Sequence, residues 1–215
     1  MALSFPLGLA DFWDKLCPLS WSFHLPSATT MAETAGGEIL VARRGVRLWE
    51  GEFMLPARNR NAQDQAVALL DLIAMPGASF LAYDRHRAYP QSDPTGATLG
   101  AATVTVSSVN ANRRDVTLTG APSGYVLTAG DHVSISYGSP TRYFLGRVVV
   151  GATLTGGSGT VELTPMLPDA IGNGDAVSLE KPLCKAVLVP NSFNGVMRGR
   201  TFDSAASFAW RQTLR

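Results

Sequence analysis

Three histidines, two cysteines and two Gly-Asp pairs are the residues of this chain best placed to do chemistry. His24, His86 and His132 lie in different segments, and none has a partner at metal-ligand spacing. His132 follows Gly130-Asp131 in an alternating segment, where a surface or barrel-rim imidazole is expected. Cys17 and Cys184 lie near opposite ends of the chain. That placement suits neither a disulfide framework nor a zinc site, and the expectation is two buried, reduced thiols. Gly130-Asp131 and Gly174-Asp175 could supply matched carboxylates for general acid–base work. After a glycine turn an Asp carboxylate also accepts backbone N–H groups, and that structural role is the one expected. There is no Gly-x-Ser-x-Gly elbow and no phosphate-binding Gly-Lys-Ser/Thr loop. Gly156-Gly-Ser-Gly159 leads into a strand, so it reads as a hairpin turn and not as a phosphate cradle. No catalytic, cofactor-binding or metal-binding residue is assigned.

The remaining chemical signal is basic. The formal net charge is only +1, yet fifteen of the eighteen cations are Arg, against Lys15, Lys181 and Lys185. Guanidinium forks suit carboxylates at interfaces better than ammonium groups do, although a GC-rich genome would give the same bias. Arg43-Arg44, Arg85-His86-Arg87 and Arg113-Arg114 fall in predicted loops or hairpin tips. Solvated loop charge, inter-subunit ion pairs and a lining that faces DNA are the three readings. The low net charge argues against a broad nucleic-acid groove. The candidate subunit-interface residues are Arg43, Arg44, Arg47, Arg85, His86 and Arg87.

The elements that must position these residues are mainly strands. Residues 116–136 and 161–180 share one pattern: an alternating strand ending in Leu-Thr, a Pro-containing turn, Gly-Asp and a second alternating strand. The offset from Val116 to Val161 is 45 residues. A duplicated strand–turn–strand unit buries its apolar faces against its own copy, which predicts a small closed or nearly closed β-barrel. Tyr143–Val150 is a further strand, and Thr103–Val109 pairs with Asp115–Thr119 as a hairpin.

Before this block, Leu9, Phe12, Trp13 and Leu16 share a short helical stripe closed by Pro18. Trp21–Leu25, Glu38–Ala42 and Val46–Leu55 read as strands, and residues 28–37 as a small, polar loop. Helix 61–74 carries the stripe Ala62, Ala66, Leu69, Leu70 and Ile73, with Asn59 or Asn61 as its cap. After it come a strand at Ser79–Tyr83 and a turn-rich boundary at Pro90–Gly96. Cys184–Val189 and Phe202–Gln212 are the last strands, and their aromatic texture returns to that of the first ninety residues. The expected fold class is mainly β. Residues 1–95 plus 183–215 would form a β-sandwich or split barrel with one helix, interrupted by an inserted barrel, 96–182.

Charge is low, and no apolar run approaches the length of a membrane span. The N-terminus lacks a basic segment, and Asp11 and Asp14 interrupt its apolar stretch, so no secretion signal is expected.

The run Arg44-Gly-Val-Arg-Leu-Trp-Glu-Gly51, the helix with Ala66-x-x-Leu69-Leu70-Asp71-x-Ile73, and Phe80-Leu-Ala-Tyr-Asp84 followed by Pro90 form one texture. It resembles that of the distal tail proteins of long-tailed, non-contractile phages and related tail-derived particles. The segment Pro122–Ile135 is similar to the β-rich insertions of tail-tip proteins. The resemblance implies a non-enzymatic virion protein assembled in host cytoplasm. It implies a homo-oligomeric ring, usually of six copies, at the tail tip, joining the tail tube protein to the tail-tip hub protein. DNA would pass through the channel as cargo, with no cofactor and no membrane partner. Two other classes stay open. A glycan-binding module would expose Tyr125, Tyr137 or Tyr143 beside Asp131 or Asp175. A hydrolase would bring Asp131 or Asp175 into a cleft with a second carboxylate. A tail-tube or hub component is the neighbouring structural alternative.

Overall fold

The computed structural model describes residues 3–57, 59–195 and 205–215. A five-residue π-helical turn at Leu9–Trp13 comes first. Strands β1 (Ser20–Trp21), β2 (Thr29–Glu33), β3 (Ile39–Arg43) and β4 (Glu50–Leu55) follow, then helix α1 (Arg60–Ile73) and β5 (Phe80–Tyr83). After a 3-10 turn at Arg85–Arg87 come β6 (Val104–Val109), β7 (Asp115–Thr119), β8 (Tyr125–Leu127), β9 (His132–Tyr137) and β10 (Arg142–Val150). The chain then forms β11 (Ala152–Leu154), β12 (Ser158–Thr164), β13 (Ala176–Ser178), β14 (Leu183–Leu188) and β15 (Ala206–Gln212). The mainly β class expected from the sequence is what the chain adopts. It divides into two compact units, Met1–Lys15 with Ala78–Ala186 and Thr213–Arg215, and Leu16–Gly77 with Val187–Gln212.

The first unit holds a closed six-stranded barrel in the order β10-β12-β7-β6-β13-β9. Its strands alternate as the sequence requires. Val116 and Leu118 of β7, and Val161 and Leu163 of β12, are buried while their neighbours are half-buried or, at Thr160, exposed. Closure pairs every barrel strand on both sides and leaves no edge. Gly156 and Gly157 both have positive φ, the combination that a two-residue type I′ turn demands.

The duplication in the sequence is a duplication in space. Strand β6 meets β7 with Thr105 opposite Thr119, Val106 opposite Leu118, then a bulge, then Ser108 opposite Thr117. Strand β10 meets β12 with Arg147 opposite Thr164, Val148 opposite Leu163, then a bulge, then Val150 opposite Glu162. Exchanging β6 with β10, β7 with β12 and β9 with β13 leaves the strand order unchanged. Val116 faces its own repeat mate Val161 across the β7–β12 pair. An approximate two-fold axis therefore passes between β7 and β12 on one side and between β9 and β13 on the other. The Gly-Asp turns obey it. Gly130 N donates to Val148 O at 2.9 Å and Gly174 N to Val106 O at 2.8 Å. Val148 N donates back to Asp131 O at 2.8 Å and Val106 N to Asp175 O at 2.9 Å. Both glycines hold a left-handed φ, 96° and 88°, which a side chain would strain.

In the second unit β4 is flanked by β1 and β15. Trp49, Gly51, Phe53 and Leu55 form one buried face. Phe53 lies directly opposite Phe208, with ring centroids 5.4 Å apart, and Phe23 packs on Trp210 at 4.7 Å. A Cβ on Gly51 would lie 1.9 Å from Ser22 O, so this close approach requires glycine. The pairing of β15 with β4 returns the C-terminal chain to the N-terminal sheet. Residues 202–204 of the expected last strand lie outside the described residues.

Several expectations need correction. Strand β4 starts at Glu50 and not Val46, because Trp49 N–H donates to the Gln212 side chain at 3.1 Å instead of to a ladder carbonyl. Residues 28–37 are not a loop. They contain β2, which pairs with β3 from Thr29–Arg43 to Glu33–Ile39. Helix α1 is capped by Asn59, whose side chain accepts Ala62 N at 3.0 Å, but its buried stripe is Gln63, Ala66, Leu70 and Ile73. Leu69 is half-buried, because the inward face is turned toward Gln63. Cys17 is exposed, and only Cys184 is buried.

Candidate functional site

The candidate residues fall into two places, one in each unit. In the second unit the chain leaves β3 through Arg43 and Arg44 and turns at Gly45. Arg43 Nε donates to Gly45 O at 3.2 Å, and Arg44 N to Ala28 O at 2.7 Å. Arg47 is half-buried and spent on the backbone, its Nε donating to Pro26 O at 3.0 Å and its Nη2 to Leu25 O at 2.8 Å. A groove of about 360 Å³ lies here, lined by Arg44, Arg47, Pro26, Thr29 and Arg211 among others. Arg211 Nε stands 3.7 Å from Glu50 Oε2, and Glu50 also meets His24 at 3.4 Å. Arg47 is held by the Pro26 and Leu25 carbonyls and Arg211 stands against Glu50, so exposed Arg44 is the guanidinium of this opening best placed to meet an outside carboxylate. Arg43 and Arg44 are exposed, whereas Arg47 works as a positioning residue for the loop before β2.

In the first unit Arg85, His86 and Arg87 form the 3-10 turn that Asp84 caps by accepting His86 N at 3.0 Å. They line a recess of about 330 Å³ with Tyr89, Gln91 and Pro94. Arg85 Nη2 donates to Trp13 O, so this guanidinium is committed to the fold. His86 is exposed and Arg87 half-buried. Beside this turn stands a clasp that sequence reasoning missed. Asp14 accepts the Tyr83 hydroxyl at 2.9 Å and Lys181 Nζ at 3.2 Å, while Lys181 sits 5.4 Å from the Tyr83 ring centre. Burial, together with the bond to Asp14, raises the Tyr83 phenol above its ordinary value. The same carboxylate raises Lys181.

The third basic cluster ties the β6–β7 turn to the segment after β12. Arg113 donates to Pro168 O, and to Ile171 O at 3.1 Å, while Arg114 pairs with Glu162 at 2.6 Å.

The Gly-Asp carboxylates have the structural role expected of them. Each accepts the backbone N–H three residues earlier: Thr128 N to Asp131 at 2.8 Å and Gly172 N to Asp175 at 2.9 Å. Asp131 is fully buried and accepts three further bonds, from the Thr128 hydroxyl and from the backbone and side chain of Gln91. Tyr125 and Tyr137 are buried as well, so they offer no exposed stacking platform beside it. His132 is a correction: it is 2% exposed, not a surface imidazole. Its Nε2 accepts Arg147 Nε at 3.2 Å. Burial, then the neighbouring Arg147 charge, push its pKa down to about 4. Among the described residues no three His, Cys, Asp or Glu side chains gather to hold a metal ion, and no helix is long and apolar enough to cross a membrane.

No protein-family model matches this chain, and no curated protein matches it significantly.

Arg211, Asp14 and Lys181 were missed because their partners lie far away in sequence. Lys181 and Asp14 are separated by 167 residues. The signal available for β2 was the pair Gly36-Gly37 set between Thr-Thr-Met-Ala-Glu33 and Glu38-Ile-Leu-Val-Ala42, which is hairpin punctuation.

Proposed function

We propose that this chain is a structural subunit of a phage tail or tail-derived particle: the distal ring, usually six copies, that joins the tail tube protein to the tail-tip hub protein. The observation that carries this reading is the resemblance across residues 44–90, Arg-Gly-Val-Arg-Leu-Trp-Glu-Gly through Phe-Leu-Ala-Tyr-Asp84 to Pro90. Arg44 and Gly51, which belong to that run, stand at the Arg groove and at the tightest approach between β4 and Ser22. The same stretch therefore holds both the core constraint and the exposed charge that a ring subunit needs. Exposed Arg43 and Arg44 would meet carboxylates of a neighbouring subunit. Arg85 and Arg47 would hold the surfaces on which such contacts are made, and His86 and Arg87 would add a second contact. In this reading the chain performs no catalysis, needs no cofactor and works at the virion tail tip after assembly in host cytoplasm.

Mass measurement of the purified chain in solution tests the proposal. A closed ring of subunits is expected, with six the usual number. Particles assembled without the chain should carry tails that stop before the tip. Normal tails in its absence would refute the reading. Binding of the purified chain to host-surface glycan would favour the module alternative instead.

A further inference from the structure

Among the described residues the hairpin β2–β3 is unlike every other strand pair. All ten of its strand residues are exposed on both faces. They include Met31 at 69%, Val41 at 62%, Ile39 at 57% and Leu40 at 54% exposure. An isolated two-stranded ribbon is marginal in water. Unpaired edges in stable monomers are guarded by Pro, Lys or bulges, and neither strand has any of these. Met31 lies opposite Val41 and Glu33 opposite Ile39, so one face is apolar in the middle, with Glu33 toward the tip and Arg43 at the base.

The charges are polar along the ribbon. Glu33 and Glu38 flank the turn, while Arg43 ends β3 at the base and Arg44 follows it into the groove that Arg47 and Arg211 also line. Four residue steps separate Glu33 from the level of Arg43, roughly 14 Å of strand. A tip therefore cannot reach its own base, but it can reach that of another copy.

We infer that the β2–β3 hairpin is an assembly arm whose occupant is a second copy of this chain: the acidic tip seats at the arginine groove of the next subunit, and the apolar ribbon is covered in the process. The contact is heterologous, tip to base, and so propagates from one subunit to the next until the rotation closes a circle. This rests on the proposed homo-oligomer and names the surface that makes it.

Sedimentation of the full chain tests the arm. Wild type is expected to associate. Glu33→Arg with Glu38→Arg, or Arg43→Glu with Arg44→Glu, should weaken association at least tenfold while circular dichroism and melting stay those of wild type. Mixing the two double variants, or combining all four substitutions in one chain, should restore association, because tip and base then carry opposite charges again. A fourfold variant that stays monomeric would overturn the tip-to-base contact. Wild-type mass in both double variants would overturn the arm and leave the ring standing. A monomeric wild type would overturn both.

Discussion

Gln91 and Asp131 are joined twice: one carboxylate oxygen of Asp131 accepts the Gln91 backbone N–H at 3.0 Å and its side-chain amide at 3.1 Å. Asp175, its symmetry mate, has no such companion among the described residues and is half-buried. The two copies of one turn have thus diverged in energetic weight. Asp131→Ala removes a buried carboxylate that accepts four bonds and is expected to cost about 2–4 kcal/mol. Asp175→Ala removes one partly exposed bond and should cost about 1 kcal/mol. Urea melts of both variants measure the difference. Equal losses would mean that the Gln91 tie carries no stability.

His132 makes the barrel sensitive to acid. Burial, and then the Arg147 guanidinium against its Nε2, hold the folded imidazole neutral, with a pKa of about 4 against 6.5 when unfolded. Between those values the unfolded chain binds the extra proton. This contribution to stability is therefore complete above pH 6.5 and is lost as pH falls, at up to about 1.4 kcal/mol per pH unit. Chemical denaturation from pH 7 to pH 4.5 should show that slope, and His132→Gln should flatten it. An unchanged slope in the variant would assign the acid sensitivity to other groups.

For helix α1, Leu70→Ala should cost about 2–5 kcal/mol, as truncation of a buried Leu does. Leu69→Ala, at a half-buried position, should cost about 1 kcal/mol. Thermal melts that rank the two the other way would show the inward face to be misassigned.

Much of the barrel is legible in the amino-acid order alone, for a physical reason. Where one face is buried and the other wet, as at Val116–Leu118 and Val161–Leu163, period-two hydrophobicity writes the strand into the sequence. Strand β3 is legible at Glu38–Ala42, but its partner β2 escapes because it has no buried face and hence no period to read. His132 escapes because β9 is covered on both sides, from His132 through Ile135, so alternation assigns it to water wrongly. Gln63 shows a third limit: a hydrophobic stripe cannot nominate a polar residue that the packing turns inward. Of the basic residues, sequence locates the clusters but not their use. Arg85, Arg47 and Arg113 serve the backbone from half-buried positions, Arg43 donates to Gly45 O from an exposed one, and Arg44 and His86 are exposed.

The boundary of the inserted barrel is open to a direct test. Excising 96–182 and joining the ends through a short linker should leave a remainder that keeps α1 and the β4–β15 pair, as read by circular dichroism and limited proteolysis. The loss removes Lys181 from Asp14 and Asp131 from Gln91, so a moderately lower melting point is expected. A remainder digested throughout would show that the two parts fold only together.

The short strand β13 pairs with both β6 and β9 and so is the piece that shuts the barrel. It is also the last barrel strand to be synthesised. Until Ala176–Ser178 leaves the ribosome, the nascent chain carries two open strand edges and an unfilled seam. The hairpins β6–β7 and β9–β10 can form as they emerge, but closure waits on contacts of high sequence separation, which are slow. Translation pauses or truncations just before residue 176 should therefore be the most aggregation-prone points in the life of this protein.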